Sequence, residues 1–150
     1  MPPNHMLRLA ASSSTLANTL SAAVLAWRGR RENASAAAPL NAVSHWLWGD
    51  EALQHDEVDA RHTGAGLLIH AASSFLWGAA FAWLHSRRAR PGPLAAVVDA
   101  AAVTATAAVV DLKLVPRRLT PGFERRLSTG GLVCVYAAFA LGLALAARRS

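Results

Sequence analysis

The chain has 150 residues with a formal net charge of +6, and it is 53% hydrophobic and only 16% charged. This length fits one domain, but a soluble domain would spread its charges along its helices to solvate their outer faces. Here the charges form short clusters between apolar stretches of roughly 20 residues, the length that a bilayer requires of a spanning helix. Because the basic clusters flank these stretches, anionic lipid headgroups explain them better than nucleic acid does, and the composition indicates a membrane protein that does not bind nucleic acid.

The first predicted span runs from about residue 6 to residue 27 and stops before a basic cluster that begins at Arg28. Its polar residues Ser14, Asn18 and Ser21 lie three or four positions apart, so they share one face of a helix. Hydroxyl and amide groups are costly to expose to lipid but find partners across helices. We therefore expect this face to point into a helical bundle.

The long connection after the first span contains a predicted short helix at about residues 39–48. Pro39 lies near its start and Gly49 at its end, as is typical of helix termini. This helix is too short to cross a bilayer, and Trp46 and Trp48 favour the headgroup layer. It is predicted to be interfacial or re-entrant.

Three further spans are predicted at about residues 63–84, 94–114 and 127–147. Pro93 is placed to open the third of the four spans, and Thr120 looks like a helix N-cap ahead of the fourth. The predicted fold is all-α: an integral membrane four-helix bundle with the short interfacial or re-entrant helix after the first span, in a single domain.

Rows of small residues in the last two spans predict close helix packing, because small side chains let helix backbones approach. The same faces offer contact surfaces for a second copy of the chain or for a partner membrane subunit. The rows comprise Ala100, Thr104 and Ala108 in the third span and Ala138, Gly142 and Ala146 in the fourth.

Ionisable residues inside the spans are the main functional signal, since such groups are expensive in a bilayer and usually serve a purpose. Antiparallel neighbours place His62 at the level of Asp111 and His85 at the level of Asp99, with His70 between these levels. One interpretation is a polar track for protons or a small substrate. The other is a neutral histidine bonded to a neighbouring helix, with Asp111 in an interfacial salt bridge. The candidate residues of the polar site are Asn18, Asn41, His45, Asp50, Glu51, His62, His70, Asp99 and Asp111.

The connection between the first two spans also carries a candidate metal site, because it holds three histidines and several acids. No diagnostic metal motif is present, and a solvated acidic loop explains the same residues. Haem b between His70 and either His45 or a second copy is another open alternative, as is the absence of any cofactor. The candidate metal ligands are His45, Asp50, His55 and His62.

Two segments resemble a group of small, uncharacterised bacterial membrane proteins. They are residues 40–52, LNAVSHWLWGDEA, and residues 117–124, RRLTPGFE. The resemblance covers most of the chain from the first loop onward, and it implies a multi-pass protein of the bacterial inner membrane. It implies no activity and no functional residues.

Two classes of function follow from these residues. In the first, the buried histidine and aspartate residues form a polar site that binds a proton, a metal ion or a small substrate. In the second, the protein is a non-catalytic membrane scaffold or accessory subunit, and its polar groups serve only helix packing. The sequence does not decide whether the protein is an enzyme, and the cost of His70 and Asp99 in a membrane favours the first class.

Overall fold

The computed structural model describes residues 3–148, and within that range it holds six α-helices and no strand. Four stretches are long and apolar enough to cross a membrane: Asn4–Asn33, Ala60–Ser86, Pro93–Leu114 and Thr129–Ala147. The predicted all-α bundle with four candidate spans is thereby confirmed. The helices are α1 (Pro3–Asn33), α2 (Ala38–Val43), α3 (His45–Trp48), α4 (Ala65–Ser86), α5 (Pro93–Val109) and α6 (Thr129–Ala147).

The helix boundaries confirm one predicted terminus and correct another. Pro93 opens α5 as expected, since a helix needs no N–H at its first position. Thr120 does not cap the fourth span, because Gly122 turns the chain with a φ of 87° and a separate 3₁₀ turn follows at Phe123–Arg125. The cap of α6 is Ser128, whose Oγ accepts the N–H of Gly131 at 3.1 Å.

Helix α1 lies at the centre of the bundle, packed against both α4 and α6, while α5 packs mainly on α6. Glycines allow the closest approaches: a Cβ atom on Gly142 would lie 2.4 Å from the Ala17 Cα, and one on Gly78 would lie 2.9 Å from the Ser14 nitrogen. The small-residue row of the fourth span is therefore used within the chain, against α1.

Replacing Gly142 by alanine should destabilise the bundle by about 2 kcal/mol, because the added methyl group meets the α1 backbone, which cannot turn aside as a side chain can. Gly130→Ala is the matched control, since a Cβ there meets nothing closer than 3.8 Å. The measurement is the unfolding free energy in mixed micelles of mild detergent and dodecyl sulfate, followed by circular dichroism. Equal stability of the two variants would contradict the described α1–α6 packing.

The predicted short helix at residues 39–48 is two helices, α2 and α3, which meet at Ser44. All residues of α2 are buried, and a Cβ on Gly66 of α4 would lie 2.0 Å from the Leu40 carbonyl oxygen. The segment is thus inserted between the long helices. Asn41 anchors it by donating to the carbonyl oxygens of His55 (2.9 Å) and Glu57 (2.8 Å).

Candidate functional site

A cavity of about 200 Å³ lies among α1, α4, α5 and α6, at the end of the bundle where α2 is inserted. Its wall is mostly apolar and includes Ile69, Trp77, Val110 and Phe139. Two of the predicted site residues line it, together with four further polar residues. The polar lining residues are Ser21, His70, Ser73, Ser74, Asp111 and Tyr136.

His70 is held in the cavity wall by α1. Its Nε2 lies 2.9 Å from the Ser21 Oγ, and the residue is only 8% exposed. Its second ring nitrogen, Nδ1, makes no hydrogen bond within residues 3–148. The predicted polar face of the first span therefore provides one partner for His70 and leaves one nitrogen unused. Asn18 of that face is farther from His70, and its Oδ1 lies 3.5 Å from the Ser74 hydroxyl, which donates to it.

Asp111 faces the same cavity and accepts a hydrogen bond from the Tyr136 hydroxyl at 3.3 Å. Within the described part of the chain it forms no ion pair, so the predicted interfacial salt bridge is wrong. Asp111 lies instead in the π-helical turn Val110–Leu114, which widens the helix at this point. Tyr136 was missed in the sequence, although it is the only tyrosine of the chain and lies within an apolar span.

The cavity has a lateral opening. Leu76 of α4 lines it while being 64% exposed on the outer surface of the bundle. Contacts between α4 and α5 are sparse compared with those that α1 makes to its neighbours. In a membrane, the face around Leu76 would contact lipid tails. An apolar molecule could thus enter from the lipid phase without crossing the loops.

A second polar cluster lies in the connection, at the start of α4. His55 Nε2 and His62 Nδ1 each lie 2.8 Å from the Asp59 Oδ2 atom, and Glu51 Oε1 lies 3.2 Å from His62 Nε2. The pKa of the Asp59 carboxyl lies well below its usual range because the His62 side chain and backbone N–H both donate to it. Asp59 was not predicted as a site residue, although its position directly before a span marks it as a helix cap.

A third polar group lies at the opposite end of the bundle, where Asp99 is fully buried. His85 Nδ1 donates to its Oδ2 at 2.9 Å, as the predicted levels of the two residues require. Arg88 donates to Oδ1 from Nη2 at 2.5 Å and from Nε at 3.1 Å. The pKa of Arg88 is raised because Asp99 accepts these hydrogen bonds. Every carboxylate oxygen of Asp99 therefore has a partner.

Three predicted site residues lie outside these groups. His45 is buried under the turn at Gly122, and its Nδ1 donates to the Ala42 carbonyl oxygen at 2.9 Å. Asp50 has a side chain that is 90% exposed and 3.6 Å from Arg125. Asn41 is an anchor of the loop. Of the predicted metal ligands, only His55 and His62 come together, and His45 does not line the cavity in which His70 lies. The proposed haem pair of His45 and His70 therefore does not form within one chain.

A comparison of the chain with protein families, with curated proteins and with solved structures found no match. The resemblance to a group of bacterial membrane proteins stays a prediction.

Proposed function

We propose that the protein binds a small amphiphilic molecule in the cavity between α4 and α5, with the head of that molecule at His70 and Asp111. The observation that carries the proposal is the composition of the cavity wall, which is mostly apolar but includes a few polar side chains, among them His70 and Asp111. Binding sites for small molecules combine an apolar wall with a few polar groups that fix the orientation of the ligand.

The polar groups favour a head that donates hydrogen bonds. Asp111 has a carboxylate with one partner, Tyr136, so it retains acceptor capacity. A phosphate or carboxylate head would be repelled by Asp111 in a site with little water. The same cavity is lined by the unused Nδ1 of His70 and by the Ser73 hydroxyl, which makes no hydrogen bond within residues 3–148. The ligand class is therefore a lipid-soluble alcohol, phenol or amine.

The size of the cavity limits the head to about one substituted ring, since a cavity of about 150 Å³ already accepts benzene. The cavity measures about 200 Å³ and is open toward Leu76. A longer apolar tail can therefore leave between α4 and α5 and lie among the lipids. We place the protein in the inner membrane of a bacterium, where it would take such a ligand directly from the bilayer.

The alternative function is a scaffold without a ligand, and only the contacts of Asp99 at the opposite end of the bundle favour it. Both carboxylate oxygens of Asp99 have hydrogen-bond partners within the chain, as expected of a group that only joins two helices. His70 and Asp111 differ, because each retains hydrogen-bonding capacity at the wall of a cavity. A partner subunit or a second copy stays a prediction in either case.

The proposal predicts that para-octylphenol binds about tenfold more tightly than octylbenzene, because only the phenol donates a hydrogen bond to a charged acceptor. The measurement is isothermal titration calorimetry with the protein in lipid nanodiscs. Empty nanodiscs provide the reference for partitioning into lipid. Octylphenyl phosphate should bind more weakly than the phenol.

Asp111→Leu and His70→Phe should each reduce the preference for the phenol to about that of the empty bilayer. Asp50→Leu is the matched control, since it removes a carboxylate that lies in solvent and outside the cavity. If the wild-type protein does not distinguish phenol from benzene, or if Asp111→Leu retains the preference, the cavity does not bind this class of ligand.

A further inference from the structure

We propose that His55, Asp59 and His62 bind one divalent transition-metal ion of the Zn²⁺ class, with Glu51 orienting His62. This site is separate from the cavity, and the proposal does not depend on the proposed ligand. It differs from the predicted ligand set, because Asp59 takes the place of His45 and Asp50.

Three ligand atoms converge in this cluster. His55 Nε2 and His62 Nδ1 both face a single oxygen, Asp59 Oδ2, at 2.8 Å, and all the ligand atoms lie within 4.8 Å of one another. The two imidazole rings are stacked with their centroids 4.0 Å apart. Ligands of a tetrahedral zinc ion lie about 3.3 Å apart for bonds of about 2.0 Å. Small side-chain rotations therefore suffice to seat an ion between them.

The hydrogen bonds of the cluster leave a gap that a cation fills. Each ring nitrogen of His62 faces a carboxylate, Asp59 at Nδ1 and Glu51 at Nε2, and a neutral ring can donate to only one of them. With an ion bound at Nδ1, the ring proton lies on Nε2 and is donated to Glu51. His55 Nε2 is buried and forms no hydrogen bond of proper geometry, although it lies 2.8 Å from the same Asp59 oxygen. A metal ion between the three ligand atoms provides a partner for each of them, including His55 Nε2.

The donor set selects the kind of ion. Two imidazole nitrogens and one carboxylate oxygen suit Zn²⁺ and its neighbours, whereas Mg²⁺ and Ca²⁺ prefer oxygen ligands. Glu51 supplies the outer contact that metal-bound histidines usually have on their other nitrogen. Three protein ligands leave a fourth position for water.

The backbone around the cluster is fixed before any ion binds. The Asn41 amide holds the carbonyl oxygens of His55 and Glu57, and Asp59 Oδ1 accepts the His62 N–H at 2.5 Å. Asp59 Oδ1 is thus engaged as the cap of the π-helical turn Ala60–Gly64 that leads into α4, while Oδ2 is directed at the two rings. A site with fixed ligands binds its ion with a smaller loss of entropy than a flexible loop would.

The test uses the full chain in detergent, purified through a tag without histidines and stripped with a chelator. Titration with Co²⁺ should produce the visible absorption bands of a tetrahedral nitrogen and oxygen site, saturating at one ion per chain. Zn²⁺ should abolish these bands by competition, with micromolar or tighter affinity. Absence of saturable Co²⁺ and Zn²⁺ binding would overturn the proposal.

Two variants identify the ligands. Asp59→Asn keeps an oxygen to cap the turn before α4 but removes the charge, and His55→Gln removes one imidazole; each should weaken Zn²⁺ binding by at least about tenfold. Glu57→Gln is the matched control, because it removes the same charge two residues away, from a side chain outside the cluster. Wild-type affinity in Asp59→Asn, or equal weakening in Glu57→Gln, would overturn the proposal. Circular dichroism of each variant verifies that the fold is intact.

Discussion

Replacing Gly66 by alanine should destabilise the protein by about 3 kcal/mol, the upper end of the range for overpacked cores. A Cβ at this position would lie 2.0 Å from the Leu40 carbonyl oxygen and 2.9 Å from its carbonyl carbon. Both atoms belong to the backbone of α2, which is buried and cannot yield locally. The methyl group must therefore displace the whole inserted segment.

Gly64→Ala is a close control for this prediction. It lies two residues earlier along the same span, and nothing lies within 4 Å of the Cβ that it would add. We expect a change within about 0.5 kcal/mol, as for other substitutions in open space. The measurement is the unfolding free energy in mixed micelles, together with the rate of proteolysis in residues 49–59. Similar values for Gly66→Ala and Gly64→Ala would contradict the insertion of α2 against α4.

Replacing Asp99 by alanine should destabilise the protein by about 3 kcal/mol. His85 would then keep a buried N–H donor without an acceptor, since its side chain is only 5% exposed. The stability lost through Arg88 is smaller, because that side chain is 45% exposed and can form hydrogen bonds with water instead. The substitution thus removes a tie between the end of α4 and the start of α5.

Asp99→Asn removes the negative charge but keeps an oxygen that can accept a hydrogen bond. Its amide oxygen can still accept from His85, so we expect about half of the loss seen with alanine. Asp50→Ala controls for removal of a carboxylate in solvent, where the side chain is 90% exposed, and it should stay within about 0.5 kcal/mol. Unfolding in mixed micelles provides the measurement. If Asp99→Ala is no more harmful than Asp50→Ala, the buried group does not tie α4 to α5.

The ends of the spans show how far composition alone predicts this fold. The third span was expected at residues 94–114 and is observed as Pro93–Leu114, since proline and apolar length both act locally. The first was expected to end at residue 27, yet α1 continues to Asn33. Charged residues end an apolar stretch but not a helix, and Arg28 pairs with Glu32 one turn later.

Of the polar contacts of Asp99, the sequence predicted one and missed another. The pairing of His85 with Asp99 followed from the antiparallel order of two neighbouring spans. Arg88, the other partner of Asp99, was not predicted. Its position depends on how the turn before α5 folds, and sequence spacing does not encode that.

The sequence by itself determined the four apolar stretches and the common level of His85 and Asp99, because chain length, apolarity and helical rise act within one segment. Only the tertiary structure decided that Asp111 meets Tyr136 and that Asp59 joins His55 and His62. Both sites adjoin π-helical turns, Val110–Leu114 and Ala60–Gly64, which shift the helical register that face predictions assume. Such turns, and the depth at which α2 inserts, depend on packing between segments that are distant in the chain.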